Sequence, residues 1–399
     1  MSFLDKLLDG GNVEWMPLGK FIKLEKGKQL NKELLSESGL YPAYNGGISF
    51  SGYCDIYNYD GNKTIISQGG ASAGFVNFIT TKFYANAHCY VIIPNVEKVD
   101  NKFIYHLLKL NQKRLMTKQH GAGIPALKTN EILNILIPIP CPENPKKSLE
   151  IQQKIVIILD TFTELTAELT AELTARKQQY NYYREQLLTF EEEKAEWKSL
   201  GELFEFKNGI NKGKEFFGKG ETIVNYTDVF KNKKLFAENI KGKVETNASD
   251  RVRFNCKKGD VFFTRTSETR DEIGYASVLL SDISNCVFSG FLIRARPITN
   301  MLLPEYCSYC FSSTVIRNKI ITSSNMTTRV TTTGTILSKI KIPVPSIKEQ
   351  ERIVFILDKF DTLTTSISEG LPKEIELRKK QYEYYRDLLL TFPNYSIEA

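Results

Sequence analysis

Residues 148–190, SLEIQQKIVIILDTFTELTAELTAELTARKQQYNYYREQLLTF, contain neither glycine nor proline and read as one uninterrupted helix. Apolar side chains fall at Ile151, Ile155, Ile158, Phe162, Leu165, Leu169, Leu173, Tyr180, Tyr183 and Leu187, mostly three or four positions apart, which is helical periodicity. At about 1.5 Å of rise per residue, these 43 residues span roughly 64 Å, more than the diameter of a small domain. Such a helix needs a partner along its length.

The chain supplies that partner. Residues 346–392, SIKEQERIVFILDKFDTLTTSISEGLPKEIELRKKQYEYYRDLLLTF, repeat the pattern as a second long helix. Ile155-Val156 answers Ile353-Val354, Leu159-Asp160 answers Leu357-Asp358, and Tyr180, Tyr183 and Arg184 answer Tyr382, Tyr385 and Arg386. The offset is 198 before the Thr-Ala-Glu-Leu stretch and 202 after it, so the second copy is four residues longer there. A period near 200 residues marks a duplicated half and not a solenoid.

The segments before each helix repeat at their ends only. Glu14-Trp15 and Leu18-Gly19 open the first, and Ile137-Pro138-Ile139-Pro140 closes it. Glu196-Trp197 and Leu200-Gly201 open the second, and Ile342-Pro343-Val344-Pro345 closes it. Between these ends lie short apolar runs such as KTIIS and CYVIIP, separated by glycine turns, which are strand signals, with one helix expected at 101–119. The expected organisation is a segment 1–12 completing the distal helical region, a lobe at 13–147, a long helix at 148–194, a second lobe at 195–345, and a C-terminal helix and tail at 346–399. The fold class is α+β: two globular domains separated by two long helices packed as an antiparallel coiled coil, with a pseudo-twofold internal repeat.

The net charge of +7 is unevenly spread. Residues 13–150 carry +5, residues 195–345 carry +8, and the remainder, with both helices, carries −6. Two basic lobes suit a polyanion held at two places, although ordinary surface charge explains the count as well. No apolar run approaches the ~18 residues of a membrane span, and the opening residues lack the pattern of a secretory signal. Seven cysteines, an odd number, fit a reducing cytoplasm better than a disulfide framework.

Taken together, the repeated lobe-plus-helix plan, the Glu-Trp and Leu-Gly openings, the IPxP close, the QxxIVxILD helix start and the RKxQYxYYR run resemble the DNA specificity subunit of type I restriction–modification systems over essentially the whole chain. The tetrads Thr166–Leu169 and Thr170–Leu173, after a shortened Thr163-Glu164-Leu165, resemble a mark of one subgroup. The resemblance implies that each lobe is a target-recognition domain reading one part of a split site in double-stranded DNA. It implies helices that set the gap and dock two methyltransferase subunits, with two motor-nuclease subunits joining them. S-adenosylmethionine, ATP and Mg belong to those partners, so no cofactor is expected in this chain. The alternatives are a recognition subunit of another restriction type, or a coiled-coil scaffold that binds proteins alone. A steep salt dependence of DNA binding separates the scaffold from the others.

No catalytic apparatus is expected. Gly213-Lys214 runs into Glu215 and not into the Ser or Thr of a phosphate loop. Cys307 and Cys310 form one lone CxxC, short of the four ligands of a zinc site, and His88, His106 and His120 show no metal spacing. His106 reads as a packing or surface residue of its helix. DNA contacts are therefore sought in the lobes. In the first, Gln68 and Ser72 lie in a glycine loop after a strand, and Lys118, His120 and Lys128 flank a second glycine loop. In the second, Arg265, Thr266 and Arg270 follow the matching strand, Asn325, Thr327 and Arg329 stand in a polar run, and Lys212 and Lys214 lie in the basic opening. Gln pairs with adenine and Arg with guanine, while for both residues a turn-stabilising role is the competing explanation. Tyr180, Tyr183, Arg184, Tyr382, Tyr385 and Arg386 are candidates for helix core or methyltransferase docking.

Overall fold

The computed structural model describes residues 3–118, 125–191, 195–326, 328–366 and 368–392. The chain forms two compact units: one takes the chain up to Thr170 together with Glu374 onward, and the other takes Ala171–Lys373.

In the first unit, Val13–Pro17 pairs antiparallel with Leu136–Pro140, Trp15 facing Pro138, so the lobe opens and closes on one two-stranded clasp. Prolines fit this ribbon because an edge strand can spare an N–H. The main sheet is antiparallel, in the order Ile22–Lys26, Cys89–Pro94, Lys63–Ser67, Val76–Ile79. A smaller sheet joins Gly52–Cys54, Tyr41–Tyr44 and Tyr84–Ala85. The expected helix runs Asn101–Thr117, and the Asp100 carboxylate caps it by accepting from the N–H groups of Lys102 and Phe103. Its apolar face, Phe103, Ile104, Leu107 and Leu108, shares one core with Ile66 and Ile92 of the sheet and with Ile151, Ile155 and Leu159 of the long helix. Leu4, Leu8, Leu389, Leu390 and Phe392 belong to the same core.

The second unit repeats this plan. Glu196–Ser199 pairs with Lys341–Val344, with Trp197 facing Pro343. The Glu-Trp-Lys run is thus a clasp strand. The main sheet has the order Phe204–Asn208, Leu292–Pro297, Val261–Thr264, Ala276–Leu279, Lys234–Leu235. Tyr306, Tyr309 and Phe311 pack with Ile353 and Leu357 in its core.

The long helix runs Pro145–Leu188. Proline is tolerated in a first helical turn, where its missing N–H has no partner to lose. The second long helix, expected from 346 onward, is corrected by the structure to two helices, Ile347–Thr365 and Gly370–Leu390. Ser366 turns extended at φ −64°, ψ 129°, and Gly370 takes φ +79°, a left-handed conformation that a Cβ disfavours. The Ser366 hydroxyl accepts from the Glu369 N–H at 3.1 Å. The break falls within the stretch where the repeat offset changes.

Each half of the long helix has its own partner. In the first unit Phe162 stacks on Tyr385, 5.1 Å apart at 13°. In the second, Tyr183 stacks on Phe360 at 5.9 Å and 27°. A later position on one helix meets an earlier one on the other, which is antiparallel order. A buried glutamine ties each helix start to its lobe. Gln152 Oε1 accepts from the Asp100 N–H at 2.7 Å, and Gln350 Oε1 accepts from the Leu303 N–H at 2.8 Å.

Candidate nucleic-acid interface

The strand Lys63–Ser67 delivers Gln68 into a fixed backbone frame. Its N–H donates to the His88 carbonyl at 2.8 Å, and its own carbonyl accepts from the Leu127 N–H at 2.8 Å. Gly69 bridges to Ala126, and Gly70 turns the chain at φ +79°. This frame brings the Gln68 loop beside Lys128, which is exposed at the start of the helix Thr129–Leu133. The Tyr90 phenol is pushed above its usual range by burial, an effect partly offset by a hydrogen bond with the Gln68 side chain. Gln68 thus also supports its own lobe. Ser72 is half-buried in the same turn, and its carbonyl accepts from the Phe75 N–H at 2.9 Å. Lys118 sits 3.5 Å from Glu131 and is half exposed, a pairing too solvated to hold it firmly. His120 lies outside the described residues.

The second lobe builds the same frame with other side chains. The Arg265 N–H donates to the Phe291 carbonyl at 3.0 Å, and the Arg265 carbonyl accepts from the Thr332 N–H at 3.0 Å. Thr266–Ser267 then pairs with Val330–Thr331, which pairs with Asn325–Met326. Thr266 and Asn325 thereby fall on one small sheet, with Arg265 and Arg329 directly before its strands, although the segments lie some 60 residues apart. Arg329 lies 3.8 Å from Glu268, both well exposed. Arg270 and Lys214 are exposed, and Thr327 lies outside the described residues. Lys212 departs from expectation. Its ammonium is 2.7 Å from Asp250 and 5.1 Å from the Phe216 ring centre, with only 19% of the side chain exposed. Its hydrogen bond holds the Asp250 carboxyl below the usual carboxylate range. Lys212 is therefore tied into its lobe and not presented as an open cation.

The two frames correspond position by position. Ser67 pairs with Cys89 as Thr264 pairs with Leu292, so Gln68 matches Arg265, Gly69 matches Thr266, and His88 matches Phe291. His88 and Phe291 are both exposed, and sequence reasoning missed them as site residues. They stand 20 and 26 positions beyond Gln68 and Arg265 and become neighbours only when the strands pair. Each immediately precedes the strand that pairs with the one leading into the frame residue, Cys89–Pro94 in the first lobe and Leu292–Pro297 in the second, a pairing that the sequence does not announce.

The tyrosine–arginine repeat serves largely within the helices. Tyr180 is corrected as a docking candidate: it is 6% exposed, packed 5.9 Å from Phe360 in the second core. Tyr183 and Tyr385 each keep one face open while stacking on Phe360 and Phe162. Arg184 pairs with Glu185 at 2.8 Å and Arg386 with Asp387 at 2.6 Å. The Tyr382 hydroxyl lies 3.0 Å from His106 Nδ1, and His106 Nε2 lies 2.9 Å from Asp160, with the ring fully buried. His106 is thus a packed joint between lobe and helices within the first unit. Burial alone raises the Asp160 carboxyl, but hydrogen bonds from His106 and Lys102 outweigh it and hold the group below its usual range.

Cys307 and Cys310 are buried in the helix Pro304–Cys310, and burial pushes both thiols up, that of Cys310 to about 12. Among the described residues no group of three or more His, Cys, Asp or Glu is placed to hold a metal, and no helix is long and apolar enough to cross a membrane.

This duplicated architecture matches known proteins along its whole length. The chain belongs to the family of the type I restriction modification DNA specificity domain, whose model matches residues 11–176 and again 192–377. It is 36% identical to a type I restriction enzyme specificity subunit of Escherichia coli, over 98% of each chain. A putative type I restriction enzyme specificity subunit of Haemophilus influenzae is 33% identical, again over 98% of each. Among solved structures, the S subunit of a type I restriction–modification system from M. genitalium superposes with a TM-score of 0.59 at 20% identity, covering 96% of this chain and 97% of that one. The protein is accordingly a DNA-recognition subunit of a type I restriction–modification system, and catalysis resides in partner subunits.

Proposed function

We propose that each lobe reads one part of a split, asymmetric DNA site while the helices hold the two parts at a fixed separation and dock the methyltransferase subunits. The observation that carries this reading is the repeated frame with unlike side chains. One backbone arrangement presents His88, Gln68 and Gly69 in one lobe, and Phe291, Arg265 and Thr266 in the other. Identical frames with different edge chemistry read different bases, because a glutamine amide matches adenine and a guanidinium fork matches guanine in the major groove. The reading lobes are residues 13–147 and 195–345, linked by helical regions 148–194 and 346–399, with 1–12 joining the latter. Lys118, Lys128, Lys214, Arg270 and Arg329 are assigned to phosphates, which position the protein without specifying sequence. Tyr183 and Tyr385 are the docking candidates that keep exposed surface, whereas Arg184 and Arg386 are ion-paired with side chains only 18% and 16% exposed. The complex is assigned two methyltransferase and two motor-nuclease subunits in the cytoplasm, which bind S-adenosylmethionine, ATP and Mg, and the Thr-Ala-Glu-Leu tetrads support assignment to the subgroup that carries them.

The test is a methylome. The chain is expressed with its neighbouring methyltransferase in a host lacking adenine methylation, and modified bases are sequenced. A split, asymmetric motif that requires both chains is expected. Methylation by the partner alone, with the same motif, reduces this chain to a scaffold.

A further inference from the structure

We propose that His88 and Phe291 are base-contacting specificity residues, with Phe291 seated against the 5-methyl group of a thymine in the second half-site. The inference deepens the split-site reading and rests on it. Three observations lead to it. First, the two residues occupy one position in two lobes of unlike sequence, each giving its carbonyl to the N–H of the central frame residue, Gln68 at 2.8 Å and Arg265 at 3.0 Å. Second, both project from the surface, and Phe291 is 64% exposed, among the most exposed large apolar side chains of its lobe. Third, neither serves its own core, whereas the residues that follow, Cys89 and Leu292, are almost wholly buried. Both stand in the turn just before a strand whose first four residues are all buried, Cys89–Pro94 in one lobe and Leu292–Pro297 in the other, so the exposed ring sits at the point where the chain enters the core.

An outward phenyl ring beside a guanidinium has few favourable contacts on a duplex. It cannot bond phosphate, and water is poor company for it. In the major groove the apolar feature of a base edge is the thymine methyl, which Phe is suited to cover. His88, its counterpart, has a ring nitrogen near Gly69, 3.7 Å from where a Cβ would stand on that glycine. The glycine leaves that ring an open side. An imidazole N–H there donates to a base-edge acceptor such as guanine N7. The same position thus reads a methyl in one half-site and a hydrogen-bond acceptor in the other.

The experiment uses the complex with its methyltransferase subunits on duplexes carrying the mapped site. Each thymine of the second half-site is replaced in turn by deoxyuridine, which removes the methyl alone. One replacement is expected to weaken binding of the unaltered protein about 4-fold, the equivalent of one methyl-sized group. Phe291→Ala is expected to bind the thymine duplex that weakly and to be indifferent to the replacement. His88→Ala is expected to keep the full uridine penalty while relaxing one position of the first half-site. A second half-site without thymine, no penalty at any thymine, or a penalty retained by Phe291→Ala overturns the proposal while the split-site reading stands. Absence of any split motif overturns both.

Discussion

Arg265 is held by its backbone on both sides, through Phe291 and Thr332, so its side chain leaves the frame in a defined direction. A bidentate guanidinium–guanine contact contributes about 1–3 kcal/mol of discrimination. Arg265→Ala should weaken specific binding by about that much and relax one position of the second half-site. Equal loss on random DNA, measured at the same salt, would identify a phosphate anchor instead. Within the first unit, Asp160 accepts from Lys102 and His106 beside Tyr382. Its folded pKa is depressed, so the stability it contributes is present above its unfolded pKa, near 3.9, and is lost as pH falls through the lower folded value. Asp160→Asn should therefore be less stable than the parent at neutral pH, and urea melts should show the gap closing below about pH 4. A constant gap down to pH 2 would refute the assignment. The sequence made Arg265 and Thr266 legible because they directly follow an apolar strand. It hid His88, Phe291 and the His106–Asp160 joint, whose partners arrive from distant segments, and it gave no sign that Asp250 takes Lys212.

Among the elements, the long helix and both clasps could be read directly, since repeated ends must do the same structural task twice. The break between Thr365 and Gly370 did leave a sign, Gly370 with Pro372 two residues on, but the strength of the repeat around it outweighed that pair. Between Phe162 and Tyr180 the long helix has half-buried positions at Thr166, Leu169, Leu173 and Arg176, alternating four and three apart, the spacing of a coiled-coil seam. Threonine fits here by folding back: the Thr166 and Thr170 hydroxyls donate to the carbonyls four residues earlier, at 2.8 and 2.7 Å. One added tetrad lengthens such a helix by about 6 Å and advances it about 40° beyond a full turn. One base pair rotates B-DNA by roughly 34–36°. Inserting one Thr-Ala-Glu-Leu after Leu173 should thus lengthen the unread spacer by about one base pair and leave both half-sites unchanged, as read by methylome. An altered half-site with the old spacer would sink this account.

For the molecule as a whole, the duplicated plan and the basic bias of both lobes were visible in the chain, but the likeness of the lobe interiors was not. Ser67 and Thr264 do equivalent work in strands whose surroundings share almost no residues, because backbone hydrogen bonding sets the frame and side chains are left to differ. The clasps add a consequence of another kind. In each lobe the first and last strands lie side by side, Trp15 against Pro138 and Trp197 against Pro343. Everything between them departs and returns at one point on the scaffold. To inheritance, each lobe is therefore a cassette: a crossover within the shared flanking codons can replace a whole reading surface at one stroke, leaving its neighbour and the helices as they were. New specificities can arise by shuffling such cassettes among genes, faster than point substitution can remake a surface residue by residue.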